Sequence, residues 1–592
     1  MSSGLYRSAN AGSGQGGLDP EGATLISTDP AAVDQAGRAD QADRADRAGA
    51  TNAPNSDEGG SAASNSAIMA LGSLVSRGTG FLRTLVLAAA LGGSLVGNAY
   101  TTAQIFPGMV YEFLLGGILT SVLVPVLVRR RRADPDRGQA YAQRLLSLAV
   151  LALGVATLMA MAAAPLLALV YASDQTTDEF RRLVTVLSYL MLPMIFFTGL
   201  SALVSALLNT RGHFAAPMWA PILNNLVVIA TLGAYIAIFG AQVVGPGQMT
   251  AGRIVLLGGG TLLGVVVQAA GLLPALRKVG FRWRWRFDFR ALGLAELGRL
   301  GIWMFCYVAV SQLGLVVVFN LLNRAGDADE AGPMIYNNVF LLLMTAHGII
   351  AVSVITALMP RMSGAAADGR YADMAADLSR GTRTVTAVLA PIAVCYAVLA
   401  TPISFSLFRY GAYSTEAASA TSVVLFAAAV ALVPFAVSQL FTFAFYALPD
   451  TRTPALINIP VVALRVAVQV ALFIALSVQF AAAGLMIGNA VSYLVAAGVS
   501  AWLLRRRVGR IGLGAIALTF GKVAVAAGGA AVAGLLVVTV LPGTDTPSRL
   551  MALVQLAAGG AAVGLTYLGL AVALRIHEVA ELLAMVRGRL RR

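Results

Sequence analysis

Charged residues are scarce in this chain. Only 12% of its 592 residues are Asp, Glu, Lys or Arg, against 58% hydrophobic. A soluble protein of this length needs far more charge to cover its surface, so a water-soluble globular domain is excluded. The two cysteines, Cys306 and Cys395, both sit in apolar runs and offer neither a disulfide framework nor a metal cluster. Three histidines, His213, His347 and His577, lie far apart and show no metal-ligand spacing. No Gly-x4-Gly-Lys-Ser/Thr loop occurs, so the chain does not read as powering itself with ATP. The expectation is a protein that is not an enzyme, with no catalytic residue, no metal and no cofactor.

What the chain has instead is long apolar runs. They cover about 67–91, 99–128, 141–172, 183–208, 216–240, 253–276, 295–322, 334–359, 382–407, 417–447, 454–478, 481–504, 514–541 and 550–574. Each is near the roughly 20 residues that cross a bilayer as a helix. They predict an all-α polytopic membrane protein with about fourteen transmembrane helices. The charges between them alternate. One set of loops carries Arg129 to Arg132, Arg277, Lys278, Arg282, Arg284, Arg286 and Arg290, then Arg361, Arg370, Arg380, Arg505 to Arg507 and the tail Arg587 to Arg592. The opposite set carries Asp174, Asp178, Glu179, Asp327, Asp329 and Glu330. Cationic loops stay in the cytoplasm, so both termini are expected there, and the net charge of +14 needs no nucleic acid to explain it.

Residues 1–64 are rich in Gly, Ala, Ser, Asp and Gln, with almost no bulky apolar side chain. That composition predicts a disordered cytoplasmic tail. A weak internal repeat follows. Leu119 to Pro125 resembles Val354 to Pro360, and Asn209 to Pro217 resembles Pro449 to Pro454, each pair six spans apart. The repeat predicts two parallel-topology lobes, at 65–278 and 279–512, with two appended spans at 513–575 and a cytoplasmic tail at 576–592.

The first span holds the most informative stretch, Ser76-Arg77-Gly78-Thr79-Gly80-Phe81-Leu82-Arg83-Thr84. Each arginine at mid-membrane costs roughly 2.5–3.5 kcal/mol on insertion scales. Six residues span only about 9 Å of helix, too little for both to snorkel to opposite interfaces. Gly80, three residues from each, reads as a gap between two guanidiniums, with Ser76, Thr79 and Thr84 completing a polar wedge. Leu71, Val75, Leu82 and Val86 fall on the other side. Other polar residues in the spans are Glu112, Asn224, Asn225, Asn320, Asn337, Asn338, Arg465 and Lys522. Cations outnumber acids, which favours a water-filled cavity for an anionic substrate, since arginine pairs bidentately with phosphate. For the asparagines, interhelical hydrogen bonding is the competing reading. The pairs Gly260-x3-Gly264 and Gly560-x3-Gly564 stand at close-packing spacing, and Pro107 and Pro125 predict kinks. Arg282-Trp283-Arg284-Trp285-Arg286 reads as an interfacial anchor.

At this point the chain resembles the MurJ/MviN family, the bacterial lipid II flippases of the MOP exporter superfamily. The residues that carry the likeness in the first half are Ser76-Arg77-x2-Gly80-Phe81-x-Arg83, Ala89-x2-Gly92, Phe106-Pro107, Phe113-x3-Gly117, Val124 to Leu127, Leu208-Asn209-Thr210, Phe214-x2-Pro217 and Pro221-x2-Asn224-Asn225. In the second half they are Gly348-Ile349-x3-Ser353-x2-Thr356-x2-Met359 to Ser363, Phe408-x-Tyr410-Gly411 and Phe445-Tyr446-x3-Asp450 to Pro454. The resemblance spans roughly 66–575.

It implies a cycle between inward-open and outward-open states around a central cationic cleft. The cleft would take the pyrophosphate of undecaprenyl-linked disaccharide-pentapeptide, lipid II, with the lipid tail in a groove near the last two spans. Ser76, Arg77 and Arg83 match the family directly, and Gly80, Thr84, Asn98, Glu112 and Asn224 complete the expected substrate-binding set. Four positions depart. Asn98 stands where many members carry Asp, Tyr111 where they carry Arg, Gly116 where they carry Glu, and Phe340-Leu341 align with an Asp-Arg pair. Half of the usual cleft charge is therefore absent, and Arg465 or Lys522 would have to compensate. The implied partners are lipid II, membrane lipids and other cell-wall synthesis proteins in a bacterial plasma membrane. The alternatives are an exporter of another undecaprenyl-linked glycan, a cation or drug antiporter, and a non-transporting envelope-synthesis scaffold.

Overall fold

The computed structural model describes residues 56–115, 126–127, 130–131, 134–171, 177–292, 294–325, 332–581 and 584. Residues 1–55 of the N-terminal tail, Gly116, Gly117, Pro125, Arg129, Arg132, Asp174, Asp327, Asp329, Glu330 and Arg587 to Arg592 lie outside the described residues. Residues 1–66 and 67–592 form two units, and of the first only the helical stretch 56–66 is described.

Among the described residues every regular element is a helix, without a strand. Its principal helices are α1 (Ser56–Leu91), α2 (Leu95–Leu115), α3 (Gln139–Ala162), α4 (Asp178–Thr210), α5 (Ala215–Phe239), α6 (Ala251–Gly271) and α7 (Leu294–Ala325). After them come α8 (Pro333–Ala367), α9 (Tyr371–Val398), α10 (Thr415–Ala447), α11 (Arg452–Ala475), α12 (Ala481–Val508), α13 (Leu513–Val540) and α14 (Arg549–Ala573). Among the described residues 13 helices are long and apolar enough to cross a membrane. The remaining one is α2, whose 21 residues include Asn98, Thr101, Thr102 and Gln104 and so fall short in hydropathy. Those same residues give α2 its place at a polar junction.

Proline sets the breaks. Pro193, lacking an N–H to give the preceding turn, divides α4 into Asp178–Met191 and Met194–Thr210. Pro107 lies within α2. Glycine sets the close approaches. A Cβ at Gly260 would collide with Thr231 and one at Gly264 with Asn224, so this pair lets α6 lie directly on α5. The Gly560-x3-Gly564 pair does not act this way. Gly560 has only Leu399 at 4.0 Å and Gly564 has no neighbour within 4 Å, whereas a Cβ at Gly559 would meet Leu399 at 2.6 Å. One residue of helix, about 100°, separates the face that packs from the face that was expected to.

Helices α2 to α6 pack mainly on one another, and α8, α9 and α12 pack around α10, with α11 bridging α7 and α12. Helices α13 and α14 pair with each other, α13 lies along α9, and α14 packs on the short helix Ala400–Leu407. The connection between α6 and α7 lies across the start of α3. Gln143 donates to the Arg282 carbonyl (2.6 Å), Arg286 donates through Nε to Gln143 Oε1 (2.9 Å), and Arg144 pairs with Asp288 at 2.6 Å. The hydrogen bond from Arg144 holds the Asp288 carboxyl below its ordinary range. Trp283, Trp285 and Phe287 remain 43%, 53% and 64% exposed, as an interfacial anchor requires.

The C-terminal segment is pinned to α9 by Arg383 and Glu578, 2.7 Å apart, with the Glu578 side chain only 6% accessible. Arg380 and Glu581 add a more exposed pair at 2.7 Å. Glu578→Ala leaves a partly buried guanidinium without its carboxylate, a loss of about 1.5–3 kcal/mol for a charge-assisted bond. Tryptic cleavage at Arg575 is expected to accelerate about 10-fold or more, and an unchanged rate would show that the apolar contacts alone hold the segment.

Candidate functional site

Helix α1 carries the two arginines, and the structure sends them in different directions. Six residues of helix leave their Cβ vectors about 120° apart. Arg77 is exposed and reaches α8, where a Cβ on Gly348 would collide with its Nη1. Arg83 is half-buried and its charge acts on Tyr100 of α2, whose hydroxyl lies 2.7 Å from Thr261 Oγ1 of α6. Among the described residues neither guanidinium has a carboxylate partner.

Gly80 is not an open gap between them. A Cβ there would stand 3.4 Å from Asn225 Nδ2, so α5 fills the space. Asn225 Nδ2 donates to the Ser76 carbonyl (3.2 Å) and to Thr79 Oγ1 (3.0 Å), which ties α5 to α1. Thr84 is also closed off: it is 8% accessible and its hydroxyl donates to the Gly80 carbonyl (3.3 Å). Asn224 points the other way, into the α5–α6 contact, where a Cβ on Gly264 would collide with its Oδ1. Of these three only Thr84 is buried; Gly80 and Asn224 are half-buried, with one face of each taken by a neighbouring helix. Ser76 is half-buried as well, and Glu112 is exposed. Tyr111 and Leu341 are half-buried, and Phe340 stacks on Tyr336 at 6.2 Å.

Sequence reasoning overlooked His347. It is 8% accessible, precedes Gly348, and lies within the field of Arg77. Its ring is 4.4 Å from Phe435, which is 4.8 Å from Tyr493. An aromatic wall thus backs the Arg77 site. The available signal was its position beside the Gly348-Ile349 motif.

Asn98 belongs to a second constellation, where the ends of α1, α2, α7 and α8 meet. It is 1% accessible and its Oδ1 accepts from the Met334 N–H at 3.1 Å, so it joins α2 to α8 and does not face a cleft. Around it Asn323 donates to Thr102 (3.2 Å) and to the Tyr171 carbonyl (3.0 Å), and Asn320 donates to the Val170 carbonyl (2.7 Å). The Ala412 N–H donates to the Ala89 carbonyl at 2.8 Å. Gly92 and Gly411 permit that approach with φ of +68° and +56°. The hydrogen bonds between α1–α6 and α7–α12 thus cluster at the end opposite the arginine-rich loops. Toward the arginine-rich end, α1 exposes Leu74, Arg77 and Gly78, and α8 exposes Val352, Ser353 and Thr356.

Such an arrangement offers an accessible, unneutralised guanidinium between two helix groups that are fastened at one end. A guanidinium so placed can hold an anionic group. The family described as Lipid II flippase MurJ matches residues 87–552, a range that leaves Arg77 and Arg83 just outside. A probable lipid II flippase MurJ of Synechocystis is 26% identical over 478 residues, 80% of this chain and 87% of the relative. A lipid II flippase MurJ of Burkholderia cenocepacia is 27% identical over 395 residues, 66% of this chain and 74% of the relative. Among solved structures, a lipid II flippase MurJ in an inward closed conformation aligns with TM-score 0.67 at 18% identity, covering 86% of this chain and 98% of that one. An inward-facing multidrug-resistance MATE transporter of the MOP superfamily aligns with TM-score 0.56 at 14% identity, covering 74% and 95%. At those identities the structural likeness speaks for the fold alone.

Proposed function

The chain belongs to the lipid II flippase MurJ family, and from that premise we propose that it moves lipid II from the cytoplasmic to the outer leaflet of the plasma membrane by alternating access, for peptidoglycan synthesis. The observation that carries the site assignment is Arg77, an exposed guanidinium without a carboxylate partner, set against Gly348 of α8. In this reading α1–α6 and α7–α12 are the two moving lobes. The pyrophosphate takes a bidentate pair from Arg77, and the field of Arg83 adds to it from the first lobe. Glu112, the exposed carboxylate on α2, suits hydroxyl and amine donors of the sugar and peptide rather than the pyrophosphate.

The clustering of arginines supports placing that end and both termini in the cytoplasm. The hydrogen-bonded junction around Asn98 and Asn323 is then the outer gate, and the described conformation faces inward. A groove of about 340 Å³ between α9, α10 and α13, lined by Ala390, Val394, Val430, Val433, Val523 and Ala527, is apolar and suits the undecaprenyl tail. Lys522 is half-buried on α13 next to it.

The test is lipid II in the outer leaflet of cells depleted of this protein. Loss on depletion and recovery on restoring the wild-type chain are expected. Persistence of outer-leaflet lipid II, in cells with no second flippase, would overturn the substrate and turn attention to another undecaprenyl-linked glycan or to a scaffold.

A further inference from the structure

A further guanidinium without an ion pair among the described residues lies in the other helix group. Arg465 is in the fourteenth position of α11, so about 20 Å of helix separate it from the first residue, Arg452. Gly314 of α7 makes room for it, since a Cβ there would collide with Arg465 Nη2. Its Nε is buried without a hydrogen-bond partner, and among the described residues it has no ion pair. An intramembrane arginine normally pairs with an acid or with backbone carbonyls, and here it does neither.

The guanidinium borders a cavity of about 180 Å³ lined by residues of α7, α10, α11 and α12. Tyr307, Ser311, Gln439, Asn458 and Tyr493 are among the lining residues, and no Asp or Glu is. Asn458 Nδ2 donates to the Tyr307 carbonyl (2.9 Å) and to Ser311 Oγ (2.8 Å), but the Ser311 and Tyr493 hydroxyls and the Gln439 amide can turn a hydrogen toward an anion, whereas a cation would meet a fixed positive charge. At about 30 Å³ per water, the space admits a small ion with part of its hydration. The cavity includes Pro454 near the start of α11 and Ser500 near the end of α12, so it extends from Arg465 toward the arginine-rich end. It is separate from the Arg77 site: Phe435 lines the cavity and places its ring between His347 and Tyr493.

We propose that this cavity is a binding site for a small inorganic anion of the halide class, with the Arg465 guanidinium as its charged ligand and the surrounding hydroxyl and amide groups completing the shell. The proposal stands whether or not the substrate is lipid II.

The test uses the purified full chain in detergent, first exchanged into gluconate. Choline chloride is titrated against choline gluconate at constant ionic strength, so that sodium is absent, and the thermal midpoint is read. A saturable rise is expected for wild type and for Arg77→Ala, and at least a 10-fold weaker chloride dependence for Arg465→Gln. An unchanged titration in Arg465→Gln would overturn the proposal. So would loss of the response in Arg77→Ala with Arg465 intact, which would move the anion to the cleft. Should Arg465→Gln fail to fold, bromide-exchanged wild-type crystals decide. An anomalous peak beside Arg465 supports the site, its absence there overturns it, and a peak confined to surface arginines marks an adventitious ion only.

Discussion

Arg77→Ala is expected to lower the rate of lipid II appearance in the outer leaflet about 10–150-fold. The range follows from losing a charge-assisted contact of about 1.5–3 kcal/mol, and the bidentate form places the loss toward the upper end. Arg77→Lys keeps the charge but not the planar fork, so it should fall between wild type and alanine. Arg83→Ala is the informative companion. Arg83 is half-buried and its charge is felt at Tyr100, so its loss is expected to weaken the field at the site without removing a direct contact, and a smaller effect is expected. Both variants are to be compared at matched membrane abundance. Full activity in Arg77→Ala would discard the site while leaving the family and its function in place. Equal losses in the two variants would mean that the guanidiniums converge on substrate in another state of the cycle.

Much of the architecture was legible because apolar length alone reports a membrane helix. Only α2 fell short, and its polar residues explain why: Asn98 and Thr102 hydrogen-bond across the lobe junction to Met334 and Asn323. Those partners lie more than two hundred residues away in sequence, and nothing local in α2 names them. The first-helix motif was legible as polar, but its neighbours were not. Spacing placed Gly80 between two arginines, and only tertiary structure shows Asn225 filling that face. The asparagine pair illustrates the same limit. Adjacent residues on a helix point about 100° apart, so Asn225 meets α1 while Asn224 meets α6. The resemblance to the family supplied the substrate. Geometry then adds that Arg77 is exposed while Thr84 and Asn98 are buried.

Gly411→Ala is expected to shift the lobes toward the outward-open state by about 5–150-fold. The new Cβ would collide with the Ala89 carbonyl oxygen, which accepts the cross-lobe hydrogen bond from Ala412, and would stand 3.0 Å from the Ala241 Cβ. In the proposed cycle this collision exists only while the junction is closed, so it acts as a differential cost on one state. A cost of about 1–3 kcal/mol corresponds to that range. Gly92→Ala should behave alike, because its Cβ would collide with the Ala412 carbonyl oxygen. Both glycines have positive φ, and the left-handed backbone by itself costs an alanine about 1–2 kcal/mol. Gly369→Ala controls for that strain: its φ is +70° but no neighbour lies within 4 Å of its Cβ position. The readout is labelling of Ala103→Cys, a position 0% accessible in α2, by a membrane-impermeant maleimide added outside cells lacking Cys306 and Cys395. Faster labelling in the Gly411 and Gly92 variants, with Gly369→Ala at the parental rate, would establish the junction as the outer gate. Equal labelling in all three would reduce the effect to backbone strain and remove the gate from the mechanism. Transport should fall with the same two substitutions, since a flippase that cannot close its outer gate cannot reload from the cytoplasmic leaflet.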